Sequence, residues 1–222
     1  MRNSNLKSII LIRHGESEGN VDVNTYLTKP DSKILLTENG KEQALELGRS
    51  MKSPVREGRV LTGVYVSPYE RAKETYKKFR EGYGEEAFAS TFDMPRLDDR
   101  LREREWGDYA RYTPEQISAI KERNGEYFYR IENGESVADC TGRVSSFLNT
   151  LYQDGFEKAV LFSHGDFIKA FVTRFFRRKP EWFEENKVID NATFVNIYFS
   201  GDQWLCQYHN SFLSSKARGY EI

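Results

Sequence analysis

Cysteine is nearly absent from this 222-residue sequence: Cys140 and Cys206 are the only two, far apart and outside any C-x-x-C pattern. That argues against a disulfide framework or a thiolate metal site and predicts buried free thiols in a reducing compartment. Long apolar runs are missing too. Nothing approaches the ~20 residues a membrane span needs, and Ile9-Ile10-Leu11-Ile12 is too short for the core of a signal peptide. No membrane span is expected, and the expected location is cytoplasmic. Net charge is also lacking, with 33 Lys and Arg against 34 Asp and Glu. No basic surplus is available to hold nucleic acid, so any anion site must be built locally. There is no H-x-x-x-H or H-E-x-x-H pattern, so neither a metal nor another cofactor is expected. Repeats, low-complexity tracts and Pro/Gly/Ser linkers are absent, which argues for a single domain over 1–222.

What the sequence does have is alternation. Apolar runs at 8–12, 60–66, 88–92, 159–162, 194–199 and 204–208 read as strands, and helical patterns separate most of them. This predicts an α/β fold, a three-layer sandwich whose mainly parallel sheet is flanked by helices. The turn Ser200-Gly201-Asp202-Gln203 suggests that the last two strands pair antiparallel. Helix starts are announced by Ser67-Pro68-Tyr69-Glu70, Thr113-Pro114-Glu115-Gln116 and Ser136 with Asp139. The polar, charge-rich segment 81–134 interrupts the alternation and is expected to form a helical cap inserted over the sheet.

Two of the three histidines share one setting: "IILIRHG" and "AVLFSHG" are each an apolar strand followed at once by His-Gly. If those strands are parallel neighbours, their C-terminal ends bring His14 and His164 into one pocket. A metal site would need further ligands, so nucleophilic or general-base work by an imidazole is the better hypothesis. A third strand, in "VYVSPYERAKET", ends at a helix carrying Arg71. Arg13, Arg71, the Gly15 amide and a helix N-terminus would together cradle a tetrahedral dianion.

At this point the chain resembles a known family. Arg13-His14-Gly15-Glu16-Ser17 with Asn20, the S-x-x-x-R-A-x-x-T element at 67–75, the L-x-E-R-x-x-G element at 101–107, Gly134-Glu135-Ser136 and Ser163-His164-Gly165 occur in the order found in the histidine phosphatase superfamily, also called phosphoglycerate mutase-like. The stretch 124–147 is most similar to a fungal and plant branch that includes broad-range acid phosphatases. The resemblance implies a small phosphorylated substrate, a phosphohistidine on His14, phosphoryl contacts from Arg13, Arg71, His164 and Asn20, and a proton donor at Glu103. It leaves Gly15, Gly165 and Arg104 as further substrate contacts. Glu105 is the nearest competitor of Glu103. Glu135 and Arg143 read as a structural pair; Trp106 and the 127–129 aromatics read by default as core under the cap, with pocket lining as the alternative.

Two other readings stand beside the phosphatase. One is a cofactor-dependent phosphoglycerate mutase, which needs an adjacent arginine pair for its substrate carboxylate; 108–133 offers Arg111, Lys121, Arg123 and Arg130, no two adjacent. The other is an inactive binding or scaffold relative, against which the completeness of the motif argues.

Overall fold

The computed structural model describes residues 5–52, 62–186, 189–209 and 218–220. Seven strands form one sheet in the order β3-β2-β4-β1-β5-β6-β7: β1 Ser8–Arg13, β2 Thr62–Val66, β3 Phe92–Leu97, β4 Lys158–Ser163, β5 Phe194–Ser200, β6 Gln203–His209 and β7 Arg218–Tyr220. β3, β2, β4 and β1 run parallel. The antiparallel part reaches further inward than the terminal hairpin implies, because β5 already runs antiparallel to β1.

The helices are α1 Glu18–Val21, α2 Thr25–Thr28, α3 Glu38–Met51, α4 Glu70–Tyr83, α5 Glu85–Ala89, α6 Pro114–Asn124, α7 Val137–Gln153, α8 Gly165–Phe175 and α9 Pro180–Glu185. The central strands are apolar throughout because both of their faces are covered. Ile9, Leu11, Ala159 and Leu161 face α7, α8 and α9, where Val144, Phe147, Phe167 and Phe171 are buried. The alternate residues Ile12, Val160 and Phe162 face Leu47 of α3, Phe79 of α4 and Phe88 of α5. Period-two alternation along two strands thus divides the core into the two faces of a three-layer sandwich.

Helix starts at Thr113 and Ser136 form reciprocal capping boxes, with Gln116 and Asp139 answering the cap residues. The start expected at Ser67 does not: α4 begins at Glu70 without a side-chain cap, and the Ser67 hydroxyl is 2.8 Å from His164 Nε2. The strand expected at 88–92 is also displaced. Glu85–Ala89 is a short helix whose Phe88 packs on Phe79, Tyr83 and Phe92, and β3 starts only at Phe92. Pro95 lies within β3, which is tolerated at the sheet edge, where no ladder bond is lost on the outer side. Positions 60 and 61 of the strand expected at 60–66 lie outside the described residues.

The segment that leaves the sheet is narrower than 81–134. Residues 81–97 complete α4, α5 and β3, whose aromatic side chains belong to one sheet face; only 98–136 forms the cap. It holds two short 3-10 turns, α6 and a small core of Ile117, Tyr129 and Ile131. Glu135 ties it down: Arg143 donates to both carboxylate oxygens at 2.8 and 2.7 Å, and Arg102 adds a bond of 2.8 Å.

Candidate active site

Register puts the two histidines together. Arg13 at the end of β1 pairs with Ser163 at the end of β4, so His14 and His164 are the next residues of adjacent parallel strands. Their ring centroids are 5.2 Å apart. Ser67 leaves β2 beside them, its amide donating to the Phe162 carbonyl at 3.0 Å. Three strand ends and the starts of α4 and α8 therefore meet at one point, outside the carboxyl ends of the parallel strands.

His14 is buried, and its protonation state follows from its partners. Nδ1 lies 2.7 Å from the Gly15 carbonyl, an acceptor only, so Nδ1 carries the proton. Nε2 is left with its lone pair, which accepts from Arg71 Nε at 3.2 Å. Burial, then the charges of Arg71 and Arg13, push the His14 pKa well below the ordinary histidine value. A neutral imidazole with Nε2 unprotonated is the form that can act as a nucleophile. His164 is equally buried, with its pKa lowered for the same leading reason. Its Nε2 contacts Ser67, while Nδ1 has no partner among the described residues.

Arg13 and Arg71 flank His14. Arg13 Nη1 donates to the Ile189 carbonyl at 2.5 Å, and its Nε is buried without a partner among the described residues. Arg71, 1% exposed, donates through Nη1 to both the backbone oxygen and Oδ1 of Asp31, each at 2.7 Å. A buried guanidinium needs such a counter-charge. Asn20 uses Oδ1 to accept from Ser17 and from Asn191, so its amide nitrogen is what it offers the pocket. Gly15 differs from its expected role: its amide donates to Thr75 Oγ1 at 3.1 Å and is not aimed at a ligand. The glycine is needed elsewhere, since a Cβ there would lie 2.3 Å from the Gly40 carbonyl of α3.

The acid loop separates the two candidate glutamates. Glu103 is half-buried against the N-terminus of α8, accepting from Phe167 N at 3.2 Å and Arg104 N at 2.9 Å. Burial and the Asp166 charge outweigh these bonds and the Arg71 charge and push its pKa up to about 7. Glu105 points elsewhere and accepts from the Tyr69 hydroxyl at 2.6 Å. Arg143 pins this loop by donating to the carbonyls of Arg100, Arg102 and Glu103. Arg104 is not on the pocket wall. It is 2% exposed, donates to the carbonyls of Glu135 and Tyr129, and stacks between the rings of Tyr129 and Trp106, so it holds the cap together.

These residues enclose a pocket of about 210 Å3 lined by Arg13, His14, Asn20, Arg71, Glu103 and Gly165, with Tyr26, Asp31, Trp106 and Asp166 completing the wall. This is small beside the ~300–1,000 Å3 of drug-sized ligand sites. His164 and Gly15 stand behind that wall, supporting His14. Tyr26, Asp31, Asp166 and the bridging Asn191 escaped the sequence reading. Of these only Asp166 carries a local signal, by following Ser163-His164-Gly165 directly. Among the described residues no group of three His, Cys, Asp or Glu is arranged to hold a metal ion. Nor is any described helix long and apolar enough to cross a membrane.

The family model described as histidine phosphatase superfamily (branch 1) matches residues 9–211. The chain belongs to this superfamily. It is 34% identical to the phosphoglycerate mutase-like protein AT74H of Arabidopsis thaliana, over 92% of this chain and 79% of that one. It is 24% identical to the broad-range acid phosphatase DET1 of Saccharomyces cerevisiae, over 86% and 85%. Among solved structures, a phosphoserine phosphatase of Entamoeba histolytica in complex with 3-phosphoglyceric acid superposes with a TM-score of 0.66 at 21% identity, covering 92% of this chain and 98% of that one. The motifs of the superfamily resemblance thus sit where the fold brings them together.

Proposed function

We propose that the protein hydrolyses small phosphate monoesters through a phosphohistidine on His14, with Glu103 as proton donor. The observation that carries the reading is the pairing of opposite protonation states in one pocket. The His14 imidazole is held neutral with Nε2 unprotonated, and the Glu103 carboxyl is pushed up to about 7, so that it keeps its proton on the acidic side of neutrality.

In the first step the His14 Nε2 lone pair attacks phosphorus in line; the N–P bond forms as the P–O bond to the alcohol breaks. Glu103 passes its proton to the departing oxygen, which leaves as neutral alcohol. Arg13 and Arg71 hold the equatorial oxygens, where charge must be carried through the transition state. In the second step a water attacks phosphorus, the Glu103 carboxylate takes its proton, and the N–P bond breaks to return neutral His14 and inorganic phosphate. The role of His164 is to back the His14 ring, whose centroid lies 5.2 Å from its own, and so to hold the nucleophile in place.

The mutase reading lacks support at the wall. Arg111 pairs with Asp108, Lys121 with Glu126 and Arg130 with Asp139, and none of them, nor Arg123, lines the pocket. The test supplies 3-phosphoglycerate with catalytic 2,3-bisphosphoglycerate and follows both 2-phosphoglycerate and free phosphate. Phosphate release faster than isomerisation is expected, and the reverse order would promote the mutase reading.

A further inference from the structure

The pocket has two ends of different character. Arg13, His14, Asn20 and Arg71, with Asp31 held against Arg71, would hold the phosphoryl group, while Asp166, whose amide lies 3.4 Å from the Glu103 carboxyl, stands with Trp106 on the side that the leaving group would meet. Arg13 and Arg71 are the only cations among the described lining residues, and both belong to the phosphoryl end. Beyond the phosphoryl group's own partners the ionisable lining groups are all acids, the Glu103, Asp31 and Asp166 carboxyls and the Tyr26 phenol. Asp31 holds Arg71 at 2.7 Å; Asp166 is half-buried, with Arg104 Nη1 3.9 Å away. A leaving group with a second anion would meet the Asp166 carboxyl with no further cation on the pocket wall to receive it, a like-charge contact of the kind that rejects wrong ligands.

The aromatic part of the wall argues against the opposite charge. Trp106 is 37% exposed, but the Arg104 guanidinium already lies 4.8 Å over its ring. That face of the ring is already taken by Arg104, so Trp106 has no free face on that side to form an aromatic cage for an amine. What remains is an apolar ring surface beside carboxyl oxygens that accept hydroxyl protons, which suits an uncharged chain or ring of carbons bearing several hydroxyl groups.

Resting on the phosphatase reading above, we infer that the enzyme selects phosphate monoesters of uncharged polyhydroxy alcohols, the sugar and polyol phosphates, and that Asp166 makes it discriminate against leaving groups carrying a second anion. Asp166 is a specificity-determining residue in this account. Its carboxyl does not take part in the proton transfers assigned to Glu103.

A matched pair of substrates tests this without any variant. Glycerol 3-phosphate and 3-phosphoglycerate have the same length and differ by a hydroxymethyl group against a carboxylate. At pH 7, kcat/KM is expected to favour glycerol 3-phosphate at least tenfold, with phosphoethanolamine no better than glycerol 3-phosphate. Asp166→Asn is expected to narrow the glycerol phosphate preference at least threefold by improving 3-phosphoglycerate. Equal use of the two esters, a preference for 3-phosphoglycerate or phosphoethanolamine, or a preference that Asp166→Asn leaves intact would each overturn the inference. Turnover of p-nitrophenyl phosphate measured alongside separates the failures: if it persists, only the selectivity claim falls, and if nothing is hydrolysed, the phosphatase reading falls with it.

Discussion

Glu103 and Glu105 are two residues apart in "LREREW", yet one accepts from the first turn of α8 and the other is held by the Tyr69 hydroxyl. The difference sets the expected pH dependence. Glu103 must keep its proton to donate it, so kcat/KM should fall as pH rises through about 7. His14 must be neutral to attack, and because its pKa lies well below the ordinary value, the acid limb should come well below 6.5. The optimum therefore lies on the acidic side of neutrality. Glu103→Gln is expected to cost on the order of 100-fold or more with an alkyl phosphate and to remove the alkaline limb. The loss should shrink with p-nitrophenyl phosphate, whose leaving group needs no proton. Glu105→Gln should stay within a few-fold of wild type. A larger loss in Glu105→Gln, measured as kcat/KM across pH on both substrates, would move the acid by two positions.

At the scale of elements, the loop that carries the nucleophile is shaped by a helix that contributes nothing to the pocket wall. A Cβ on Gly40 of α3 would lie 1.9 Å from the Glu16 carbonyl, so α3 can approach the 14–17 loop only because both Gly15 and Gly40 are bare. Gly40→Ala must push the helix or the loop aside. The expected cost is about 1–3 kcal/mol, or a fall in Tm of roughly 3–10 °C for a chain of this size, with loss of activity at temperatures where the protein is still folded. Calorimetry with a parallel phosphate-release assay checks both, and an unchanged Tm would show that the contact is not needed. Elements also set what the sequence could reveal. β1 and β4 are legible because burial on both faces makes them continuously apolar, and the Thr113 and Ser136 starts because a capping box is local chemistry. β3 is not legible: as an edge strand it is half-exposed and carries Pro95, while the apolar Phe88 before it serves a helix. Ser67 misleads because its hydroxyl is engaged by His164, 97 residues away.

For the whole molecule, topology is what assembles the site. β4 lies between β1 and β2, so segments beginning at 13, 67 and 163 in the chain meet at the carboxyl ends of three adjacent parallel strands. The strand-to-His-Gly repetition announces the two histidines, and the L-x-E-R resemblance points to Glu103. Asp31, which neutralises Arg71 from 40 residues away, and Asn191, which bridges the His14 and Gly15 carbonyls to Asn20, have no sequence signal because their partners are brought to them only by folding. All of this converges on one chemical claim, that His14 Nε2 becomes covalently phosphorylated. The direct measurement is to mix the protein with a 32P-labelled phosphate monoester, quench in alkali on the millisecond scale, and map the acid-labile label. The account predicts label on His14 in the wild type and in His164→Ala, and none in His14→Ala; label on any other residue, or turnover with no labelled protein at any time, would contradict it.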